Sequence, residues 1–168
     1  MDFLKKNRNI NLPSQVCRIN KIELYYLNED MKDFKIDVND ICWLDGKIKN
    51  KWDLCAHGHV TVKIGSYSDE YFGGSVSATA LYLLKTLTRD HISGTEIQIV
   101  PCCGFGMCSE EPDGFGEICK IIGCPDGLDW TVKHDGNFIR LISKNDITVS
   151  VPFAQYKTEV FAFSDKVK

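Results

Sequence analysis

Hydrophobic and polar residues alternate most regularly in the segment WDLCAHGHVTVKI, residues 52–64. A period of two places successive side chains on opposite faces of a β-strand. The predicted buried face carries Trp52, Leu54, Ala56, Val60, Val62 and Ile64. The predicted polar face carries Asp53, Cys55, His57, His59, Thr61 and Lys63. Gly58, in the middle of the segment, is typical of a β-bulge.

Several shorter segments also have strand character. Phe34, Ile36 and Val38 alternate with polar residues, and residues 41–44 lead into the turn dipeptide Asp45-Gly46. Residues 103–116 are acidic and rich in glycine, which predicts a loop between two strands. β-branched and aromatic residues or clean alternation predict further strands at 16–27, 96–100, 117–123, 130–134, 137–142 and 147–151.

Two segments have helical spacing. Gly73-Gly74-Ser75 is expected to open the first helix, with Ser75 or Ser77 as its N-cap. Its hydrophobic residues are Val76, Ala80, Leu83, Leu84 and Leu87. The second helix follows Pro152, which a first helical turn tolerates. Its hydrophobic stripe is formed by Phe153, Tyr156, Val160, Phe163 and Val167.

This order of elements predicts an α+β fold. We expect a mostly antiparallel sheet with two main helices packed on it, and a C-terminal β-meander followed by a helix. Residues 1–14 are polar and predict a flexible N-terminal arm. Residues 15–168 are expected to form a single α+β domain, which is an ordinary size for one domain.

Composition narrows the classes of protein. The chain has 168 residues, of which 43% are hydrophobic, and a formal net charge of −3. This charge argues against a nucleic-acid partner, and no run of about 20 apolar residues predicts a membrane span. No secretory signal precedes the eight cysteines. We therefore expect a cytoplasmic protein with reduced thiols rather than a disulfide framework.

Cys55, His57 and His59 are the candidate metal ligands. Residues i, i+2 and i+4 of a strand point to the same side, and zinc accepts both thiolate and imidazole ligands. Other cysteines or histidines would have to complete such a zinc site. The alternative is a structural polar face that meets solvent or lies under the 103–116 loop, with polar contacts from the two histidines to that loop. We favour this second interpretation, because isolated His-x-His pairs are common.

No complete catalytic motif is present. Pro101-Cys102-Cys103-Gly104 can present a thiol in a turn, but the sequence offers no oxyanion-hole motif beside it. We therefore expect a protein that is not an enzyme.

Acidic residues are concentrated in residues 21–45. Seven acids face three lysines in this segment, which leaves a net charge of −4. Such a segment is either a solvated surface or a site for a basic partner protein. Trp43 can supply an aromatic anchor, since interface hot spots favour Trp and Tyr. The candidate partner-binding residues are Glu29, Asp30, Asp33, Asp37, Asp40 and Trp43.

Residues 50–168 resemble a group of small, uncharacterised bacterial proteins. The similar segments are CAHGHV, SATALYLL, PCCG, IIGCP with LDW, and VPFAQY. The resemblance implies a bacterial cytoplasmic protein like those that accompany toxins. Together with the acidic segment, it leads us to expect an immunity protein that blocks a cognate basic toxin, for example a nuclease. The competing hypothesis is a zinc-binding protein or metallo-hydrolase that uses Cys55, His57 and His59.

Overall fold

The computed structural model describes residues 33–43, 55–94, 98–102, 106–109, 119–122 and 126–168. All of them belong to one compact unit, Lys32–Lys168. The expected N-terminal arm, the strand at 16–27 and the Asp45-Gly46 turn lie outside these residues. The strands and helices are β1 Phe34–Cys42, β2 His57–Ile64, β3 Tyr67–Ser75, α1 Val76–Lys85, β4 Val100–Pro101, β5 Gly106–Ser109, β6 Cys119–Ile122, β7 Gly127–Leu128, β8 Thr131–Asp135, β9 Phe138–Ile142, β10 Thr148–Pro152 and α2 Phe153–Val167.

The predicted α+β class is confirmed, and every described strand pairing is antiparallel. The described strands form four sheets rather than one. Two have three strands, in the orders β1-β2-β3 and β10-β9-β8. Two are ribbons, β4 with β7 and β5 with β6. The β5 strand lies within residues 103–116, so the expectation that this whole segment is a loop was wrong.

The sheet β1-β2-β3 has the predicted buried face. Val60, Val62 and Ile64 of β2 are at most 2% exposed. They pair with the buried alternate residues of β1, Val38, Ile36 and Phe34. The third strand, β3, was not predicted. Its last residues, Gly73–Ser75, were expected to open the helix, but they close the strand, and α1 begins at Val76.

The C-terminal elements match the prediction closely. β8, β9 and β10 form the expected meander, and α2 follows directly. The hydrophobic stripe of α2 buries Tyr156, Val160 and Phe163, each at most 1% exposed. Truncating a side chain buried in this way typically costs about 3–5 kcal/mol. None of the described helices is long and apolar enough to cross a membrane.

Aromatic residues from distant parts of the chain meet in the core. The ring of Phe34 in β1 lies 5.1 Å from the ring of Tyr156 in α2 and 6.4 Å from that of Trp130, centroid to centroid. The first helix contributes Val76, Ala80 and Leu83 to the same core. Leu84 is an exception to the predicted stripe, because it is 38% exposed.

Candidate functional site around His59

Two of the three candidate metal ligands, His57 and His59, lie in β2, and Cys55 lies two residues before it. Their environments differ. Cys55 and His57 are buried, each 4% exposed. The predicted polar face is therefore buried at this end rather than in contact with solvent. The side chain of His59 remains 18% exposed.

Cys55 and His57 contact each other through their side chains. Nδ1 of His57 donates to the carbonyl oxygen of Gly73 at 3.1 Å. A neutral imidazole with its proton on Nδ1 has an acceptor at Nε2. That Nε2 lies 3.8 Å from Sγ of Cys55, so the thiol can donate to it. The backbone of β3 thus fixes the orientation and the tautomer of a buried thiol–imidazole pair.

The start of α1 encloses this pair. Ser75 is the register partner of His57, and its Oγ is buried without a hydrogen-bond partner. The backbone N–H of Ala56 donates to Oγ of Ser77 at 3.0 Å. Ser77 therefore binds the neighbouring strand, and the predicted N-cap residue Ser75 makes no side-chain capping bond.

His59 makes a separate set of contacts with β3. Its Nε2 donates to Oε2 of Glu70 at 3.0 Å. Its ring stacks on the ring of Phe72, with centroids 3.9 Å apart and planes inclined by 11°. The predicted contacts between the two histidines and residues 103–116 involve side chains of that segment which the structure does not describe. The contacts that the structure does describe hold both histidines to β3.

Two β-bulges meet at the centre of this sheet. Asp40 and Ile41 of β1 lie opposite the single residue Gly58, because Asn39 pairs with His59 and Cys42 with His57. On the other side, two residues of β3 lie opposite His59, since Gly58 pairs with Gly74 and Val60 with Tyr71. Bulges re-aim side chains and are common beside functional sites.

Gly58 makes this arrangement possible. A Cβ at this position would lie 3.0 Å from the side chains of both Val38 and Val76, and 3.1 Å from the carbonyl oxygen of Asn39. Such contacts are tighter than packed side chains normally make. The absence of a side chain therefore lets β1 and the start of α1 approach β2 closely. Gly58, which was predicted to mark one bulge, lies between a bulge in β1 and a bulge in β3.

The bulged residues present apolar groups to the exterior. Phe72 is 70% exposed and Ile41 is 42% exposed. Asp40 is exposed and has a positive φ of 53°, a conformation that non-glycine residues adopt rarely. We define the His59 patch as His59, Glu70 and Phe72. It combines an exposed aromatic ring with a carboxylate that is bound to an imidazole.

The acidic candidate residues divide into three groups. Asp33 and Asp40 are exposed at the two ends of β1. Asp37 is not an unpaired acid, because its Oδ1 accepts from Nζ of Lys166 in α2 and from the backbone N–H of Val38. Trp43 is half-buried. Glu29 and Asp30 lie outside the described residues.

The described residues contain no group of three or more His, Cys, Asp or Glu side chains arranged to hold a metal ion. The structure brings together Cys55 and His57, whereas Nε2 of His59 is engaged by Glu70. Two of the three proposed ligands therefore share one site, and the third belongs to the His59 patch.

Glu70 and Phe72 were not identified from the sequence, because β3 was not recognised. A usable signal was present. Gly65-Ser66 separates Ile64 from Tyr67, and these two residues pair directly across the hairpin. A two-residue Gly-Ser loop after a clear strand predicts a tight hairpin. The φ of +59° at Gly65 suits such a turn.

Comparisons with protein-family models, with curated proteins and with solved structures found no match to this chain. The geometry of the described residues is therefore the basis of the functional argument.

Proposed function

We propose that the protein is a bacterial immunity protein, which acts in the cytoplasm by binding a basic toxin directly. The observation that carries this proposal is Phe72, an aromatic side chain that is 70% exposed yet held flat against His59. Exposed aromatic side chains are typical anchors of protein interfaces. A side chain that already packs on a neighbouring ring loses less conformational entropy when a partner covers it.

The exposed carboxylates on and beside the sheet β1-β2-β3 favour a basic partner. Asp33 and Asp40 are exposed, and the Glu70 side chain is 58% exposed. A toxin that cleaves nucleic acid needs positive charge where it holds the phosphates. An acidic surface accelerates association with such a protein and can cover its active cleft. The inhibition requires only contact, with no chemical step by the immunity protein.

The test uses the polypeptide encoded next to this gene as the candidate partner. Association and dissociation rates would be measured for the wild-type chain and for Asp33→Lys, Asp40→Lys and Phe72→Ala. We expect each charge reversal to slow association, most strongly at low salt, because screening acts over about 8–10 Å at ordinary ionic strength. Phe72→Ala is expected to accelerate dissociation, since interface truncations act mainly on the off-rate.

Matched controls come from the C-terminal helix. Asp165→Lys makes the same charge reversal at a side chain that is 65% exposed, and Phe161→Ala removes an aromatic side chain that is 43% exposed. Both controls should bind as the wild type does. No binding by the wild type, or equal effects of controls and test variants, would refute the proposal.

A second candidate function is zinc binding at Cys55 and His57. Zinc bonds of about 2.3 Å to sulfur and 2.0 Å to nitrogen, at a tetrahedral angle, imply a sulfur–nitrogen separation of about 3.5 Å. The observed separation between Sγ and Nε2 is 3.8 Å. The donation from Nδ1 of His57 to a backbone carbonyl is also the usual second contact of a zinc-bound histidine.

Metal analysis of protein purified without added metal tests this second function. A zinc site predicts a stoichiometric metal that is lost in Cys55→Ser and His57→Asn. Cys42→Ser tests whether the cysteine that pairs with His57 across β1 is a further ligand. Background metal content in the wild type would remove this candidate. Loss of the metal in His59→Asn would indicate that His59 is the third ligand. Retention of the metal would indicate a site that uses Cys55 and His57 without His59.

A further inference from the structure

We propose that Phe72 and Glu70 form a receptor for one arginine side chain of the partner, with His59 as the positioning residue that holds both. This inference rests on the proposed function, since it names the chemical group that the His59 patch recognises. It also makes a claim about small ligands that can be tested without a partner protein.

The Phe72 ring has one covered face and one open face. His59 covers one face of the ring at 3.9 Å. Since the side chain is nevertheless 70% exposed, its opposite face is open to solvent. The negative face of an aromatic ring attracts a cation placed over it, and a planar guanidinium also stacks on the ring.

Glu70 places a carboxylate beside this ring. It is two residues before Phe72 on the same strand, and both side chains contact His59. The carboxylate is therefore held beside the ring by a hydrogen bond from His59. One oxygen, Oε2, accepts that bond, while the side chain is 58% exposed. A carboxylate in this position can pair with a guanidinium that stacks on Phe72.

The pairing of an aromatic ring with a carboxylate favours a cation over an apolar side chain as the occupant. An apolar side chain packed on Phe72 would remove water from the Glu70 carboxylate without providing a donor, which is unfavourable. A cation satisfies both groups at once. Arginine is preferred over lysine, because the guanidinium is less strongly hydrated and combines stacking with paired hydrogen bonds.

His59 supports the receptor without contacting the arginine. The fixed stacking and the bond to Glu70 keep both groups in place before binding. Phe72→Trp and Phe72→Tyr preserve an aromatic face and are expected to retain binding. Phe72→Leu preserves apolar surface but removes the face, so it separates recognition of a cation from simple hydrophobic contact.

The experiment has two arms. In the first, N-acetyl-arginine amide and N-acetyl-lysine amide are titrated into the full chain, and NMR shifts of the Phe72 ring and the Glu70 amide are followed. We expect larger, saturable shifts with the arginine probe, and their loss in Phe72→Leu and Glu70→Gln. Phe138→Leu, at another exposed phenylalanine (49% exposed), is the control that should change nothing.

In the second arm, partner affinity is measured for the same variants. We expect Phe72→Leu and Glu70→Gln each to weaken binding about 5- to 30-fold, as is typical of a cation–aromatic contact and of a charge-assisted pair. Glu70→Gln should also flatten the dependence on salt. The two losses should be sub-additive in the double variant if one side chain contacts both groups.

The outcomes separate the two proposals. Partner binding that is unaffected by both variants would overturn the arginine receptor and leave the proposed function standing. Failure of the wild type to bind the neighbouring polypeptide would instead count against the function, and the probe arm would then decide the receptor alone. Equal shifts with both probes, or no shifts, would overturn the receptor in that arm.

Discussion

Nε2 of His91 lies 2.7 Å from Oδ1 of Asp129, in a pair whose side chains are 5% and 13% exposed. The same carboxylate accepts from the backbone N–H groups of Gly94 and Ile99, at 3.1 and 3.2 Å. A single side chain therefore ties the segment that follows α1 to the start of β8.

Replacing Asp129 with asparagine should destabilise the fold by about 1–3 kcal/mol, because it removes a buried carboxylate that accepts from His91 and from two backbone N–H groups. The measurement is urea denaturation at pH 7. Asp126→Asn is the matched control, since Asp126 is exposed and three residues away. A change of less than 1 kcal/mol in Asp129→Asn would show that the pair contributes little.

The same pair predicts a dependence on pH. Burial alone would raise the pKa of Asp129, but the hydrogen bonds and charge supplied by His91, with Ser93 and the Ile99 N–H, lower it overall. A lowered folded-state pKa means that the unfolded chain binds protons first as pH falls. The stabilisation is therefore complete above the ordinary carboxyl pKa, about 4, and is lost as pH falls through the lowered value. The stability difference between wild type and Asp129→Asn should narrow below about pH 4, and a constant difference down to pH 2 would contradict this.

Gly127 and Gly136 provide a test of backbone constraint. Both have positive φ, 149° and 60°. A Cβ at Gly127 would lie 2.2 Å from the carbonyl oxygen of Val100, whereas a Cβ at Gly136 would meet nothing within 4 Å. We expect Gly136→Ala to cost about 1–2 kcal/mol from conformation alone. Gly127→Ala should cost clearly more, since the β4–β7 pairing must also shift, and thermal unfolding of both variants would show the order.

Tyr156 and Thr86 join the two helical segments. The Tyr156 hydroxyl lies 2.7 Å from Oγ1 of Thr86, which itself donates to the carbonyl oxygen of Leu83. The tyrosine is therefore the donor, and burial raises its pKa far above the usual range, so that it stays neutral. Tyr156→Phe should cost about 1 kcal/mol. In a double-mutant cycle with Thr86→Val, the two losses should not add, because both remove the same bond.

The parts of the fold that were predictable have strong local patterns. The hydrophobic stripe of α2 recurs at intervals of three and four residues from Phe153 to Val167. The meander has a turn at each of the two predicted places. β3 was missed because its sequence, YSDEYFGGS, has few aliphatic residues and leaves its alternate side chains exposed. A strand that contributes little to the core lacks the periodic signal on which prediction depends.

The candidate site was only partly predictable for a related reason. Strand alternation grouped Cys55, His57 and His59 on one predicted face. Alternation cannot reveal which neighbours pair with each residue. His57 is buried and Phe72 is exposed beside bulges whose positions depend on how β1, β2 and β3 pair. The pairing of Asp37 with Lys166 was likewise hidden, since the two residues are 129 apart in the sequence.

The contact between Phe34 and Tyr156 has a consequence for synthesis on the ribosome. α2 is translated after every other described element, yet its aromatic ring packs at the centre of the core. The strands made first must therefore wait with their apolar faces uncovered until α2 has been synthesised. Such intermediates are prone to aggregate, so chaperone binding before α2 is synthesised should raise the yield of folded protein.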